Sequence, residues 1–401
     1  MSALSCPLGL ASRLRAAVGP ALWLSCSLLA ACDGGATGGP EAARPADRAV
    51  APWEVEPARQ FDFWIGAWNV NVRNLRPDGS WVDTAEATAH VHSILDGKAI
   101  LELWDGRTPF GGTDPATREL TTKGFSLRYW DPQREQWVLA LNWPSPGNPG
   151  YSKLEGSFRH GRGDFYQVRF RRDTGERVLV RYTFSDATPD SLRWNDGVSY
   201  DDGQTWGEAT IFEFTRTAPT APWPDPGGTL LTDDDGRLCA GESFRRFDFL
   251  IGGWTGILKS SGEGRTISEW SVDLEAFRVL DGCGVLGLLE TTRDGDTLHR
   301  FQLYSYLPRR EEWVALQLDS TDDGDFEILG GTFDDRGIVL TQFHPEPTSD
   351  VGPWNRSLVE PAPAEGPTAL TRWRWELLGD DRLRFVMSAS GDGGERWSPE
   401  V

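Results

Sequence analysis

The 401-residue sequence has little of what most enzyme sites and nucleic-acid surfaces are built from. It holds five His, and no Gly-x-Ser-x-Gly, His-Glu-x-x-His, phosphate loop or Cys-x-x-Cys occurs in it. Hydrolase triads and zinc sites are therefore poorly supplied, and no cofactor is expected. Positive charge is also scarce: 40 Lys and Arg stand against 60 Asp and Glu, a net charge of −20. So acidic a chain is a poor partner for nucleic acid or anionic headgroups. Beyond residue 31, no apolar run is long enough to cross a bilayer, and no segment keeps a helical period over three turns.

What the chain has is aromatic and rich in turns. Hydrophobic residues make up 39% and aromatics 11%, with 19 Trp, 45 Gly and 26 Pro. That balance suits folded cores made of many short strands. One stretch returns: Phe61-Asp62-Phe63-Trp64-Ile65-Gly66-Ala67-Trp68 reappears as Phe247-Asp248-Phe249-Leu250-Ile251-Gly252-Gly253-Trp254. The two starts, 61 and 247, lie 186 residues apart, about one domain length. Other landmarks recur in the same order. Leu95-Asp96-Gly97 matches Leu280-Asp281-Gly282, and Pro132 and Trp137 match Pro308 and Trp313. The chain reads as a tandem duplication.

Within each copy the residues alternate as strands do. Trp68, Val70 and Val72 share one face, and Ala85, Ala87, Ala89 and Val91 share the next. The same period groups Phe125, Leu127 and Tyr129; Trp137, Leu139, Leu141 and Trp143; Tyr166, Val168 and Phe170; and Val180, Tyr182 and Phe184. The prediction is an all-β fold of two tandem antiparallel barrels, each of roughly eight to ten strands. The expected division is a leader at 1–31, a tether at 32–56, a first barrel at 57–217, a linker at 218–242 and a second barrel at 243–401. In the second copy little follows the last landmark before Val401. Its closing strand is expected to be missing, or the sequence to be incomplete there.

Charge separates the copies. Residues 57–217 carry 22 acidic and 19 basic groups, net −3, whereas 218–401 carry 33 and 17, net −16. The two need not share a partner.

Arg13 and Arg15 precede an apolar run that ends Leu29-Ala30-Ala31-Cys32. This resembles the lipobox of bacterial lipoproteins, which implies lipidation at Cys32 and an address in the cell envelope, periplasmic or outer-surface. An ordinary secretory leader cut near the same place is the alternative. In an oxidising compartment Cys239 and Cys283 would be able to pair, pinning the segment before the second copy to it; two separate buried thiols are the other reading.

Ser199-Tyr200-Asp201-Asp202-Gly203-Gln204-Thr205-Trp206, with its counterpart around Asp392, resembles the Asp-box hairpin of sialidase propellers, a structural element and not a catalytic one. The openings and closings together resemble a bacterial family of unknown function whose members start Phe-Asp-Phe-x-x-Gly-x-Trp and end Ser-x-Asp-Gly-Gly-x-x-Trp. More loosely, Gly66-Ala67-Trp68 and Gly252-Gly253-Trp254 are similar to the Gly-x-Trp that opens lipocalin and calycin barrels. That resemblance implies that Trp68 and Trp254 plug one barrel end and that Arg216 stacks on Trp68. The second copy has no counterpart of Arg216.

The expected function is a membrane-anchored lipoprotein that binds a small hydrophobic molecule in one or both barrels, with Trp130, Trp137, Trp143, Tyr166 and Tyr182 as candidate lining. A scaffold without a ligand, whose protein partner the sequence does not name, is the alternative. A third reading is a haem- or metal-dependent enzyme built on His90 and His92, two apart on one strand face. Their counterparts are Glu275 and Phe277, which favours a polar stripe facing solvent.

Overall fold

The computed structural model describes residues 54–106, 122–142, 152–170, 174–224, 239, 241–262, 265–307, 311–321, 326–334, 337–342, 370–379 and 382–398. Cys32 and Trp143 lie outside them. The first copy contains β1 (Gly66–Leu75), β2 (Trp81–Ile94), β3 (Ala99–Gly106), β4 (Thr122–Asp131) and β5 (Gln136–Asn142). It continues with β6 (Ser152–Arg159), β7 (Arg162–Phe170), β8 (Arg177–Ser185), β9 (Ser191–Ser199) and β10 (Thr210–Ala218). Neighbours in sequence pair antiparallel, and β10 returns to β1, so the ten strands close a barrel. Closure leaves no edge in this copy.

The second copy contains β11 (Gly252–Gly262), β12 (Arg265–Val279), β13 (Gly284–Arg293), β14 (Asp296–Leu307) and β15 (Glu312–Asp319). Then come β16 (Glu327–Asp334), β17 (Gly337–Gln342), β18 (Leu370–Gly379) and β19 (Arg382–Ser390). These nine strands pair in the same order as β1–β9, and among the described residues β11 and β19 are left as edges.

Both Asp-boxes fold as their composition demands. Asp201 accepts from the backbone N–H of Thr205 at 2.8 Å and from its hydroxyl at 2.6 Å, and Gly203 N–H donates to Ser199 Oγ. The two Thr205 bonds, with one from the Ser199 hydroxyl, hold the Asp201 carboxyl low, at about 2. The second box repeats them from Arg396 N–H to Asp392 and from Gly394 N–H to Ser390. In each box the Trp indole donates to the turn glycine and an Arg from the preceding hairpin lies over the ring: Arg181 on Trp206, Arg372 on Trp397.

Val50–Val401 forms one compact unit, and the joint between the copies is part of its core. On the outer face of the first barrel, Leu101, Phe125, Leu127, Tyr129, Val138 and Ala140 pack against Phe277, Val279, Leu286, Phe301, Leu303 and Leu316. The contact is reciprocal. The Leu95–Gly97 turn rests on β14, while the Leu280–Gly282 turn rests on β4. Asp96 pairs with His299 across the joint at 2.8 Å. Cys239 and Cys283 are joined as a disulfide, Cα to Cα 5.0 Å, which fastens the segment between the copies beside the second of these turns. Trp223 of the same segment stacks on His92 at 3.8 Å and faces Phe277 at 5.8 Å. Residues 223 and 239 of the expected linker are thus packed into the joint.

Candidate functional site

The repeated opening motif fills one end of the first barrel. Phe61 precedes and Trp64 ends a single 3-10 turn, Asp62–Trp64, which points both rings inward. Phe61 lies 4.9 Å from Trp137 and from Phe158, and 5.3 Å from Phe184. Trp68 is buried below them, its indole N–H donating to Trp64 O at 2.7 Å. Arg216 covers that Trp from β10, 4.0 Å from the ring centre, and donates to the carbonyls of Phe63, Ile65 and Pro189. Arg216 therefore ties the plug, β1 and the β8–β9 turn together. This end is packed with side chains.

One rung further in, the barrel interior holds an ion pair. Arg128 of β4 donates to Glu102 of β3 at 2.9 Å, and Ser126 Oγ donates to the same carboxylate oxygen at 2.5 Å. The guanidinium also lies over Phe61, Trp64 and Phe184. Burial lowers the Arg128 pKa, and Glu102 opposes that shift. Glu102 uses one oxygen for both bonds, and Arg128 Nε and Nη1 are buried without a hydrogen-bond partner.

Further from the plug the interior is a wall of rings around polar groups. Trp104 stacks on Phe212 at 5.0 Å, Phe212 on Trp194 at 4.5 Å, and Trp194 meets Tyr182 edge-on at 4.8 Å. From β7, Gln167 is buried and its carbonyl oxygen accepts from Arg169 at 2.8 Å. Burial raises the Tyr182 pKa, opposed by Arg169 and reinforced by Asp196. Burial likewise raises Asp196, against the backbone N–H bonds it accepts from Ala209 and Thr210. Two donors on these inward faces, Trp104 Nε1 and Gln167 Nε2, are buried with no hydrogen-bond partner. Such groups are uncommon in folded proteins and mark a place where an acceptor belongs.

The expected lining residues divide. Tyr182 lies inside, in the ring wall. Trp137 lies inside but in the plug, donating to Pro57 O at 3.0 Å, with the half-buried Trp130 at 6.1 Å. Tyr166 is on the outer face, 42% exposed and 6.0 Å from Trp206. Tyr166, expected among the lining residues, therefore lies outside, and its strand neighbours Phe165, Gln167 and Arg169 point in. Phe165 completes the Phe61 cluster, whereas Tyr166 stays exposed on the outer face.

His90 and His92 lie on the outer face of β2, not in the barrel. His92 is buried against Trp223 and does not face solvent; burial and the neighbouring His90 push its pKa down to about 4. No cluster of three or more metal-ligating side chains occurs among the described residues. In the second copy, Phe247 takes the place of Phe61, stacked on Tyr304 at 4.3 Å and 4.7 Å from Trp313. Beside it lies an open cleft of about 360 Å³ lined by Phe249, Phe333, Asp334, Gly337, Trp375 and Glu376, among others.

Of the ring wall, Tyr182 was named from the sequence but Trp104 and Phe212 were not, and the Glu102–Arg128 pair was missed. The signal of that pair is polar residues at inward positions of otherwise apolar stretches, as in Leu101-Glu102-Leu103 and Leu127-Arg128-Tyr129.

The strand order settles the architecture. The chain folds as two tandem lipocalin-like β-barrels, the first closed and the second, among the described residues, open along one side. No family model and no curated protein matches the chain. Among solved structures it is similar to an S-type phycobiliprotein lyase from Guillardia theta, at 12% identity over 39% of this chain and 89% of that one, TM-score 0.26. A second is EF1p2_mFAP2b bound to DFHBI, at 11% identity over 40% of this chain and 99% of that one, TM-score 0.22. A third is a DUF3598-family protein of unknown function from Nostoc punctiforme, at 14% identity over 84% of this chain and 93% of that one, TM-score 0.18. At these scores the architecture rests on the strand pairing described above.

Proposed function

We propose that this is a lipid-anchored envelope protein whose first barrel binds a small, largely apolar molecule bearing a hydrogen-bond acceptor. The observation that carries the reading is the pair of buried, unpartnered donors, Trp104 Nε1 and Gln167 Nε2, on the inward faces that hold Phe212, Trp194 and Tyr182. An unmet buried donor costs about 1–3 kcal/mol, which a ligand carbonyl, carboxylate or ether would offset. The rings supply a flat apolar wall, and Arg169 favours an acceptor with negative charge. The anchor at Cys32 rests on the leader, and the Cys239–Cys283 disulfide supports an oxidising compartment. A scaffold without a ligand is the second reading, favoured by the acidic second half, net −16 over 218–401 from 33 acidic and 17 basic residues.

The test is mass spectrometry of a solvent extract from the full chain purified out of its own membranes. An apolar compound should accompany the protein and be depleted in a Trp104→Phe, Gln167→Leu variant. Identical extracts from the two would sink the barrel-ligand reading. For the anchor, Cys32→Ala should move the protein to the soluble fraction; an unchanged membrane share, with no acyl mass on the parent chain, would remove it.

A further inference from the structure

The two copies keep the same plug but not the same interior. Counting from the shared turns, Tyr304 stands where Arg128 does and Gln302 where Ser126 does. Counting from Trp137 and Trp313, Gln317 stands where Leu141 does. Glu102 has Gly287 as its counterpart. The ion pair of the first barrel is therefore not repeated, and polar residues of another kind take its level.

Tyr304, Ala315 and Leu329 face the interior with Phe247, and strand alternation puts Gln302, Gln317 and Glu327 on the same side of β14, β15 and β16. Pairing sets these three level, Gln302 opposite Gln317 and Gln317 opposite Glu327. Tyr304 Oη donates to Gln302 Oε1 at 3.0 Å, Gln302 Nε2 donates to Gln317 Oε1 at 3.3 Å, and Gln317 Nε2 donates to Glu327. A carboxylate only accepts, so Glu327 fixes the sense of the whole row. The phenol proton is thereby committed and its oxygen left as an acceptor, while each amide nitrogen keeps a second N–H. Burial raises the Tyr304 pKa, opposed by Arg300, so the group is a neutral phenol.

Trp373 of β18 meets Tyr304 edge-on, with ring centres 6.2 Å apart. It is 5% exposed, and its Nε1 is buried with no hydrogen-bond partner among the described residues. An unmet buried donor marks a place where an acceptor belongs. Its surroundings differ from those in the first barrel, where rings and guanidinium groups dominate. Here the indole donor shares the interior with two amides, a phenol oxygen and a carboxylate, so donors and acceptors are mixed. The acidity of this half, net −16 over 218–401 from 33 acidic and 17 basic residues, works against an anionic ligand.

We propose that the interior of the second barrel is a separate site for a hydroxyl-rich small molecule of the sugar class. Its hydroxyls accept from Trp373 Nε1 and the amide N–H groups of Gln302 and Gln317, and donate to the Tyr304 oxygen and to Glu327. A hydroxyl does both. A fatty chain leaves every one of these groups unmet, and a carboxylate ligand meets Glu327 with like charge. The site does not depend on a ligand in the first barrel.

The test is saturation-transfer NMR of the full chain with glucose, galactose, mannose and N-acetylglucosamine, each titrated alone. At least one should bind saturably. Trp373→Phe, which keeps a ring and removes the N–H, should weaken that binding at least tenfold, and so should Gln317→Leu, which breaks the row. The first-barrel variant Trp104→Phe, Gln167→Leu should bind as the parent does. Trp373→Phe is the milder of the two changes and decides the matter if Gln317→Leu does not fold. Absence of saturation with all four sugars would overturn the site. Parent-like binding by Trp373→Phe, or loss in the first-barrel variant, would put the sugar elsewhere and overturn it too. Laurate, which carries no hydroxyl, is the control: displacement of the bound sugar by laurate would overturn the hydroxyl-rich class.

Discussion

Arg216 lies 4.0 Å above the ring of Trp68, directly opposite it in the pairing of β10 with β1. The pair couples barrel closure to the plug, because the same guanidinium bonds the carbonyls of Phe63 and Ile65. Replacing it with Ala removes the cation–π contact and leaves those carbonyls unmet. Arg216→Ala should cost about 2–3 kcal/mol in urea unfolding. Arg216→Lys should recover little, since an ammonium has no planar fork to bridge two carbonyls. A lysine variant as stable as the parent would show that charge alone matters.

Gly66 and Gly252 occupy equivalent places with different surroundings. Both have positive φ, so Ala at either is strained, but only at Gly66 would a Cβ strike Arg216 and Ala218. Gly66→Ala should therefore destabilise the chain by about 2 kcal/mol more than Gly252→Ala, given the added cost of overpacking. Thermal or urea melts of the two variants measure the difference. Equal losses would mean that backbone strain, and not the closing strand, sets the cost.

Much of this was legible in the sequence because period two and repeated turn motifs are local signals. Trp68, Val70 and Val72 announce a strand, and Leu95-Asp96-Gly97 with Leu280-Asp281-Gly282 announce equivalent turns. Three things were not. Tyr166 and Phe165 are adjacent aromatics, and which one faces inward depends on Phe61, a hundred residues away. The joint between the copies was hidden because β3 and β4 turn apolar residues outward and hold Glu102, Ser126 and Arg128 inward; Phe125, Leu127 and Tyr129 were grouped on one strand face, and that face packs against the other copy. A strand buried on both sides reads as a continuous apolar run, and Trp137-Val138-Leu139-Ala140-Leu141 of β5 was the available clue. The Glu102–Arg128 pair joins two strands whose register no local pattern supplies.

The disulfide closes a loop with a sequence separation of 44 residues between Cys239 and Cys283. Chain entropy puts its contribution at about 3–4 kcal/mol. Cys239→Ser should lower the urea midpoint accordingly, and added reductant should lower the parent to the same value while leaving the variant unchanged. A parent that reductant does not affect would argue against the bond in solution.

Glu102 is the one carboxylate bonded to the buried Arg128 among the described contacts. Glu102→Leu strands that guanidinium and should cost about 3–5 kcal/mol, whereas Glu102→Leu with Arg128→Met should restore most of the loss. The cycle is read by urea unfolding of all four proteins. A double variant as unstable as Glu102→Leu alone would mean that packing against Phe61 and Trp64, not the stranded charge, dominates.

His92 makes stability depend on pH through the joint between the copies. In the folded protein it binds a proton only near pH 4, against an ordinary value of 6.5, because it is buried against Trp223 with His90 nearby. Between those values the unfolded chain holds more protons, so acidification favours unfolding. The stability present above pH 6.5 is lost as the pH falls toward 4. The full separation corresponds to about 3 kcal/mol, and solvent screening brings the expected effect to about 1–2 kcal/mol. His92→Phe keeps a ring against Trp223 and removes the titration. Urea unfolding at pH 7 and pH 4.5 should show a smaller difference for this variant than for the parent, by that amount. Carboxylates titrate in the same range in both proteins and cancel in the comparison. Equal pH dependence in the two would show that the His92 side of the joint opens to water before it protonates.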